Sequence, residues 1–165
     1  MESEPSQMPK RRRIRLAPSE YEVPGQPVLI TTCTRERQPL LTSGSMPSIV
    51  QAGVRSATAA VPMEVLVWCV VADHVHAVVT PQRGGSVVNW VGRFKGRVAA
   101  DARRDGLRNL WQRSFHDHVL RDDEAIADVV NYVLANPVRR GLVDNWREWP
   151  HCGSLTWDLS DWVDS

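Results

Sequence analysis

The chain has 165 residues, 42% of them hydrophobic and 24% charged, which is enough to bury one core and too apolar for global disorder. Three cysteines without CxxC spacing (Cys33, Cys69, Cys152) exclude a disulfide scaffold and a cysteine zinc knot, and fit a reducing cytoplasm. No apolar run approaches the roughly 20 residues of a membrane span, and no signal-peptide core follows the N-terminus, so neither a membrane nor a secreted protein is expected.

The net charge of +1 hides an uneven distribution. Residues 83–121 hold nine Arg or Lys against three Asp, whereas residues 139–165 hold three Arg against five acids. The N-terminal segment adds KRRRIR, Lys10 to Arg15. Eighteen of the twenty cationic residues are arginine, whose planar fork matches phosphate oxygens, and this raises a nucleic-acid partner as a reading. An Arg-biased composition with an ordinary solvated face explains the same counts.

Residues 1–26 carry Pro5, Pro9, Pro18 and Pro24, few apolar residues and no periodicity, and read as an arm without a core element. Residues 28–34 are β-branched and predict a strand. Ile49, Val50, Val54 and Ala57 predict a helix over 47–60. The run 63–80 is too β-branched for a helix, and Ala72-Asp73 divides it into strands at 64–71 and 74–80. Ser86 then caps a helix whose stripe is Val87, Val91, Phe94 and Val98, ending near Gly106. Residues 115–121 alternate as a fourth strand. Asp122 or Asp123 caps a helix that Pro137 stops after Ala135, and 139–165 read as a tail. The first six elements, β-α-β-β-α-β, are the order of an α+β ferredoxin-like split βαβ domain over 27–138, with an antiparallel sheet that offers an open face to single-stranded nucleic acid.

Two features bear chemistry. His74 and His76 lie at i and i+2 of a strand, so both imidazoles share a face and can converge on one divalent metal. Tyr132 and Asn136 lie at i and i+4 of a helix, placing a phenol beside an amide oxygen. Taken singly, each has an ordinary explanation: partly exposed strand histidines, a half-buried helix aromatic, an asparagine ending a helix before proline. Taken together they describe a metal held by His74, His76 and Asn136 that polarises a phosphodiester, with Tyr132 as nucleophile. A second His-x-His, His116 and His118, lines the same cleft, contacts phosphate or sits on an exposed strand. No GxxxxGK[ST] or GxGxxG is present, so joining strands would draw on a covalent intermediate rather than a nucleotide.

The ordered set HVH, WQRSFHDHVLR and YVLANPVRRGLV, with ITTCTRERQPLL before it and WPHCGS after it, resembles the REP-associated tyrosine transposases of the HUH endonuclease superfamily. The likeness runs over roughly residues 11–155. It implies a ferredoxin-like fold acting on single-stranded DNA that carries a short hairpin. It implies His74, His76 and Asn136 as ligands of Mg²⁺ or Mn²⁺, though many insertion-sequence relatives carry Gln at the third position. Tyr132 would form a 5′-phosphotyrosine and release a 3′-OH, and the compartment would be the bacterial nucleoid. Phosphate contacts are expected from Arg11, Arg12, Arg13 and Arg15 of the arm and from Arg93, Lys95 and Arg97 of the basic helix. The alternatives are a non-catalytic hairpin-binding module of the same fold and a water-using phosphohydrolase that ignores Tyr132. Monomer and homodimer are equally compatible with the sequence.

Overall fold

A computed structural model of the chain describes residues 16–162; the arginines expected to serve in the arm, Arg11, Arg12, Arg13 and Arg15, lie outside that range. The elements run β1 (Val28–Cys33), α1 (Met46–Ala60), β2 (Met63–Val71), β3 (His74–Pro81), α2 (Val87–Arg104), β4 (His116–Val119), α3 (Ile126–Leu134), α4 (Asn136–Arg139) and β5 (Cys152–Gly153). They form one antiparallel sheet in the order β4-β1-β3-β2-β5. The first four strands thus have the split βαβ order, with β3 inserted between β1 and β2.

Each face of the sheet has its own core. On one face α1 and α2 pack together over Val28, Ile30, Val65, Trp68, Val70, Val75, Ala77 and Val79. On the other, α3 contributes Val130, Val133 and Leu134 over Leu66, Val67, Cys69, Val71 and Val78. A β-bulge between Val65 and Val67 divides the labour along β2. The extra residue shifts the two-residue alternation by one, so Cys69 and Val71 face α3 while Val65 and Val70 face α1 and α2.

Several local expectations meet a different structure. Residues 18–26 do not stay clear of the core: Tyr21 is 3% exposed and meets Phe115 edge-on, and Gly25 N–H donates to the Pro81 carbonyl. The helix carrying Tyr132 starts at Ile126, so its N-cap is Ala125 rather than Asp122 or Asp123, and alanine has no side-chain acceptor to offer; Glu124 before it turns back to the Arg121 N–H and to His118. That helix stops at Leu134, and Pro137 opens the separate turn α4. The tail is also more than loop. It adds β5 to the sheet edge, and Trp146, Trp149, Leu159 and Trp162 pack against the second core. Among the described residues no helix is long and apolar enough to cross a membrane.

The close approach of α1 and α2 rests on Gly53, where an added Cβ would lie 2.4 Å from Val98 Cγ2. Val98 is β-branched and fully buried, so it cannot swing aside. Gly53→Ala should therefore destabilise the fold by about 1–3 kcal/mol, although alanine is the better helix former. A urea unfolding curve that moved to a higher midpoint would contradict this packing.

Candidate active site

The hairpin of β2 and β3 turns at Ala72-Asp73, and this turn delivers His74 and His76 to the α3 side of the sheet. Both are buried, at 4% and 8% exposure, and their Nε2 atoms lie 3.1 Å apart. Each Nδ1 has its own partner. In the tautomer that keeps the lone pair on Nε2, His74 Nδ1–H donates to Asp73 Oδ1 at 2.7 Å and His76 Nδ1–H donates to Thr31 Oγ1 at 2.8 Å. Thr31 can do this because the β1–β3 register sets it directly opposite His76.

Burial is the main reason both imidazoles stay neutral. It lowers His74 despite the raising effect of the Asp73 hydrogen bond, and it pushes His76 down to about 3, aided by His74, Arg139, Arg140 and Arg37. Neutral imidazole is the form that ligates a cation. For Asp73, burial works upward but loses to the His74 hydrogen bond and to the charges of Arg140 and Arg37, so its carboxyl sits below the ordinary value. Arg37 and Arg140 approach it at 3.5 and 3.4 Å. Arg37 and its neighbour Glu36 both hold positive φ, 58° and 55°, in the short turn that brings the guanidinium over.

Asn136, buried at 4% exposure, places its amide 3.0 Å from His74 Nε2. A half-turn of the amide presents the oxygen at the same spot. Two imidazole nitrogens and an amide oxygen converging there fit a hard divalent cation. Ligands at about 2.1 Å and right angles, as Mg²⁺ prefers, stand about 3.0 Å from each other. Asp73 and Thr31 complete the arrangement as the groups that orient the two rings.

Tyr132 borders this cluster. Its ring is 5.9 Å from that of His76, edge to face, and the residue is 38% exposed. The Arg139 guanidinium lies 4.0 Å over the ring and donates to the Tyr132 carbonyl at 2.9 Å, fixing the side chain from behind. Although the helix breaks at Ala135, that residue keeps right-handed helical angles (φ −70°, ψ −6°), so Tyr132 and Asn136 still reach one site.

His74, His76, Tyr132 and Asn136 therefore come together. His116 stands opposite Thr31 in the β1–β4 register and so faces the same side, while His118, two residues on, pairs with Glu124 at 2.8 Å. Arg93 and Arg97 are elsewhere. They flank an open groove of about 810 Å³ along α2 and the end of α1, on the layer across the sheet from the histidines, and Arg97 holds Asp101 at 2.6 Å. Lys95 donates to the Gln112 and Ser114 carbonyls, both at 2.7 Å, and so ties the 107–115 loop to α2. Sequence reasoning missed Thr31, Asp73, Arg139 and Arg140. Asp73 adjoins the HVH pair and the two arginines lie within YVLANPVRRGLV, but Thr31 becomes visible only once the strand register is known.

With this geometry in place, known proteins can be compared. The family description "Transposase IS200 like" matches residues 26–136, which hold every element from β1 to α3 together with His74, His76, Tyr132 and Asn136. The chain is 29% identical over 89 residues to a REP-associated tyrosine transposase of Escherichia coli K12, covering 54% of this chain and 53% of that protein. It thus spans about half the length of this curated relative. A structure described as a REP-associated tyrosine transposase bound to a REP hairpin superposes with a TM-score of 0.71 at 23% identity, covering 96% of this chain and 97% of that one, so the fold is shared. With most of its length matched by one family description, the chain belongs to the IS200-like transposases.

Proposed function

We propose that the chain is a metal-dependent DNA nicking and joining enzyme that acts on single-stranded DNA bearing a short hairpin, with Tyr132 as nucleophile. The observation that carries this reading is the placement of a partly exposed tyrosine 5.9 Å from one of two buried, converging histidines. The similarity to a REP-associated transposase, and to a fold solved with a REP hairpin, supports the choice of substrate.

His74, His76 and Asn136 would hold Mg²⁺ or Mn²⁺, whose positive charge, when bound, polarises the scissile phosphate. The remaining work belongs to the chain's own groups. Asp73 and Thr31 fix the imidazole rings and their tautomers, so that both Nε2 lone pairs are presented without a search through rotamers. Arg139 holds the Tyr132 ring from behind and brings a positive charge to the edge of the cleft, where a phosphate must enter. Tyr132 Oη attacks phosphorus as its proton passes to solvent, the bond to the 3′ oxygen breaks and that oxygen takes a proton from solvent to leave as a 3′-OH, and the DNA 5′-phosphate stays on the tyrosine. The phosphodiester energy is kept in that linkage, so attack by a 3′-OH rejoins strands without a nucleotide. Exposure of Tyr132 suits this role, because a polymer substrate must reach it.

A labelled pool of single-stranded hairpin DNAs with Mn²⁺ tests the nucleophile. The wild-type chain should give a protease-sensitive DNA–protein band on a denaturing gel. Tyr132→Phe should lower that band at least about 10³-fold while hairpin binding on a native gel persists. Binding without any wild-type adduct would instead establish a non-catalytic hairpin-binding module.

The orienting role of Asp73 has a separate readout. Asp73→Ala should weaken Mn²⁺ binding about 10- to 100-fold, followed by titration calorimetry of the protein without DNA. Unchanged affinity in a folded Asp73→Ala protein would remove the carboxylate from the metal-binding arrangement.

A further inference from the structure

Two of the three cysteines, which carry no CxxC spacing in sequence, meet across strands in the fold. Cys69 of β2 stands directly opposite Cys152 of β5. The flanking hydrogen bond runs from Val70 N–H to the His151 carbonyl at 2.9 Å, which makes 69 and 152 the non-hydrogen-bonded pair between two bonded ones. In that position the Cα atoms of antiparallel strands stand about 4.5 Å apart and the side chains lean together, within the span a disulfide bridges. The close approach of the strands is built in, since the Trp68 ring lies across Gly153 and any Cβ there would overlap it at 2.2 Å.

Cys33 has no such option. It lies on β1, where its cross-strand neighbour is His74 and β3 separates it from β2. Two strand spacings, about 9.6 Å, exceed the disulfide limit. Cys69 and Cys152 are therefore the cross-strand cysteine pair, and Cys33 lies out of disulfide reach of Cys69.

We propose that Cys69 and Cys152 form a reversible cross-strand disulfide that latches the C-terminal tail to the sheet. The reacting partner is a low-molecular-weight disulfide such as glutathione disulfide. Cys152 is the entry point, because it is only partly buried while Cys69 is wholly enclosed under α3. Cys152 thiolate attacks one sulfur of glutathione disulfide, forming a mixed disulfide and expelling glutathione thiolate. Cys69 Sγ then attacks Cys152 Sγ, its proton passing to the second departing glutathione. Two protein thiols are oxidised and one glutathione disulfide is reduced to two glutathiones.

The latch has a structural consequence beyond β5. The tail is held beside it by Trp149 Nε1–H donating to the Val70 carbonyl at 2.8 Å, and farther on by Trp162 Nε1–H donating to Asn131 Oδ1 at 2.7 Å. Asn131 precedes Tyr132 on α3. Closing the disulfide makes covalent, until it is reduced, the anchor from which the tail reaches the helix of the tyrosine.

The test incubates the full chain with glutathione disulfide, quenches with acid, counts thiols under denaturing conditions and maps peptides without reduction. Wild type should lose two of its three thiols, yield one peptide pair joined through Cys69 and Cys152, and recover all three in dithiothreitol. Oxidation should also slow proteolytic removal of the tail severalfold and raise the melting temperature. Cys33→Ser should behave as wild type, and Cys152→Ser should form no internal disulfide and gain no protection. Retention of all three thiols, glutathione remaining on Cys152, or linkage between chains would each overturn the proposal. Because Cys33→Ser leaves the pair intact, a folding defect in the Cys152 variant would not shield it from these outcomes.

Discussion

The site depends on one strand pairing. β3 lies between β1 and β2, and its register with β1 sets Thr31 against His76, while its register with β2 sets Cys69 against the same histidine. Because side chains alternate at every residue, a slip of one position would send His74 and His76 into the α1–α2 core and bring Val75 to the cleft. The hydrophobic pattern resists that slip. Val75, Ala77 and Val79 are buried against α1 and α2, so the apolar positions that specify the fold also hold the histidines on the opposite side.

Two buried imidazoles are a burden that the surroundings must relieve. A charged histidine there would be poorly solvated, and a neutral one still needs a partner for its N–H. Asp73 and Thr31 supply those partners, and Arg37 and Arg140 then balance the Asp73 carboxylate. The same bonds leave both Nε2 atoms facing one point beside Asn136. What satisfies the buried polar groups thus also prepares a cation site. Tyr132 differs in being partly open to solvent, as the proposed attack on a polymeric substrate would require.

Much of this was legible in the chain, for identifiable reasons. The β2–β3 hairpin showed itself through β-branched runs interrupted at Ala72-Asp73, and α2 through a stripe begun by Ser86, whose hydroxyl accepts from Asn89 N–H. The HVH pair and the Tyr132–Asn136 spacing follow from local periodicity, so they survived the break at Ala135. Thr31 was out of reach because its role depends on cross-strand register rather than on neighbours in sequence. Tyr21 looked like part of an arm because a single aromatic among prolines has no period, yet long-range contact with Phe115 buries it. Lys95 belonged by sequence to a basic stripe, but its ammonium meets two loop carbonyls that no spacing rule foresees.

The placement of positive charge separates two tasks that the sequence merges. Arg37, Arg139 and Arg140 gather around His74, His76 and Tyr132. Arg93 lies on the opposite layer beside Gly92 and Gly96, which leave the backbone of α2 accessible in the groove. A phosphate backbone contacting both sets must pass from one face of the sheet to the other. A single straight strand lying in the cleft does not do so, whereas a folded nucleic acid with a duplex stem and a single-stranded flank has parts that can occupy separate faces. Under the proposed function, charge near the tyrosine would act on the reacting phosphate, and charge on α2 would hold the rest of such a ligand.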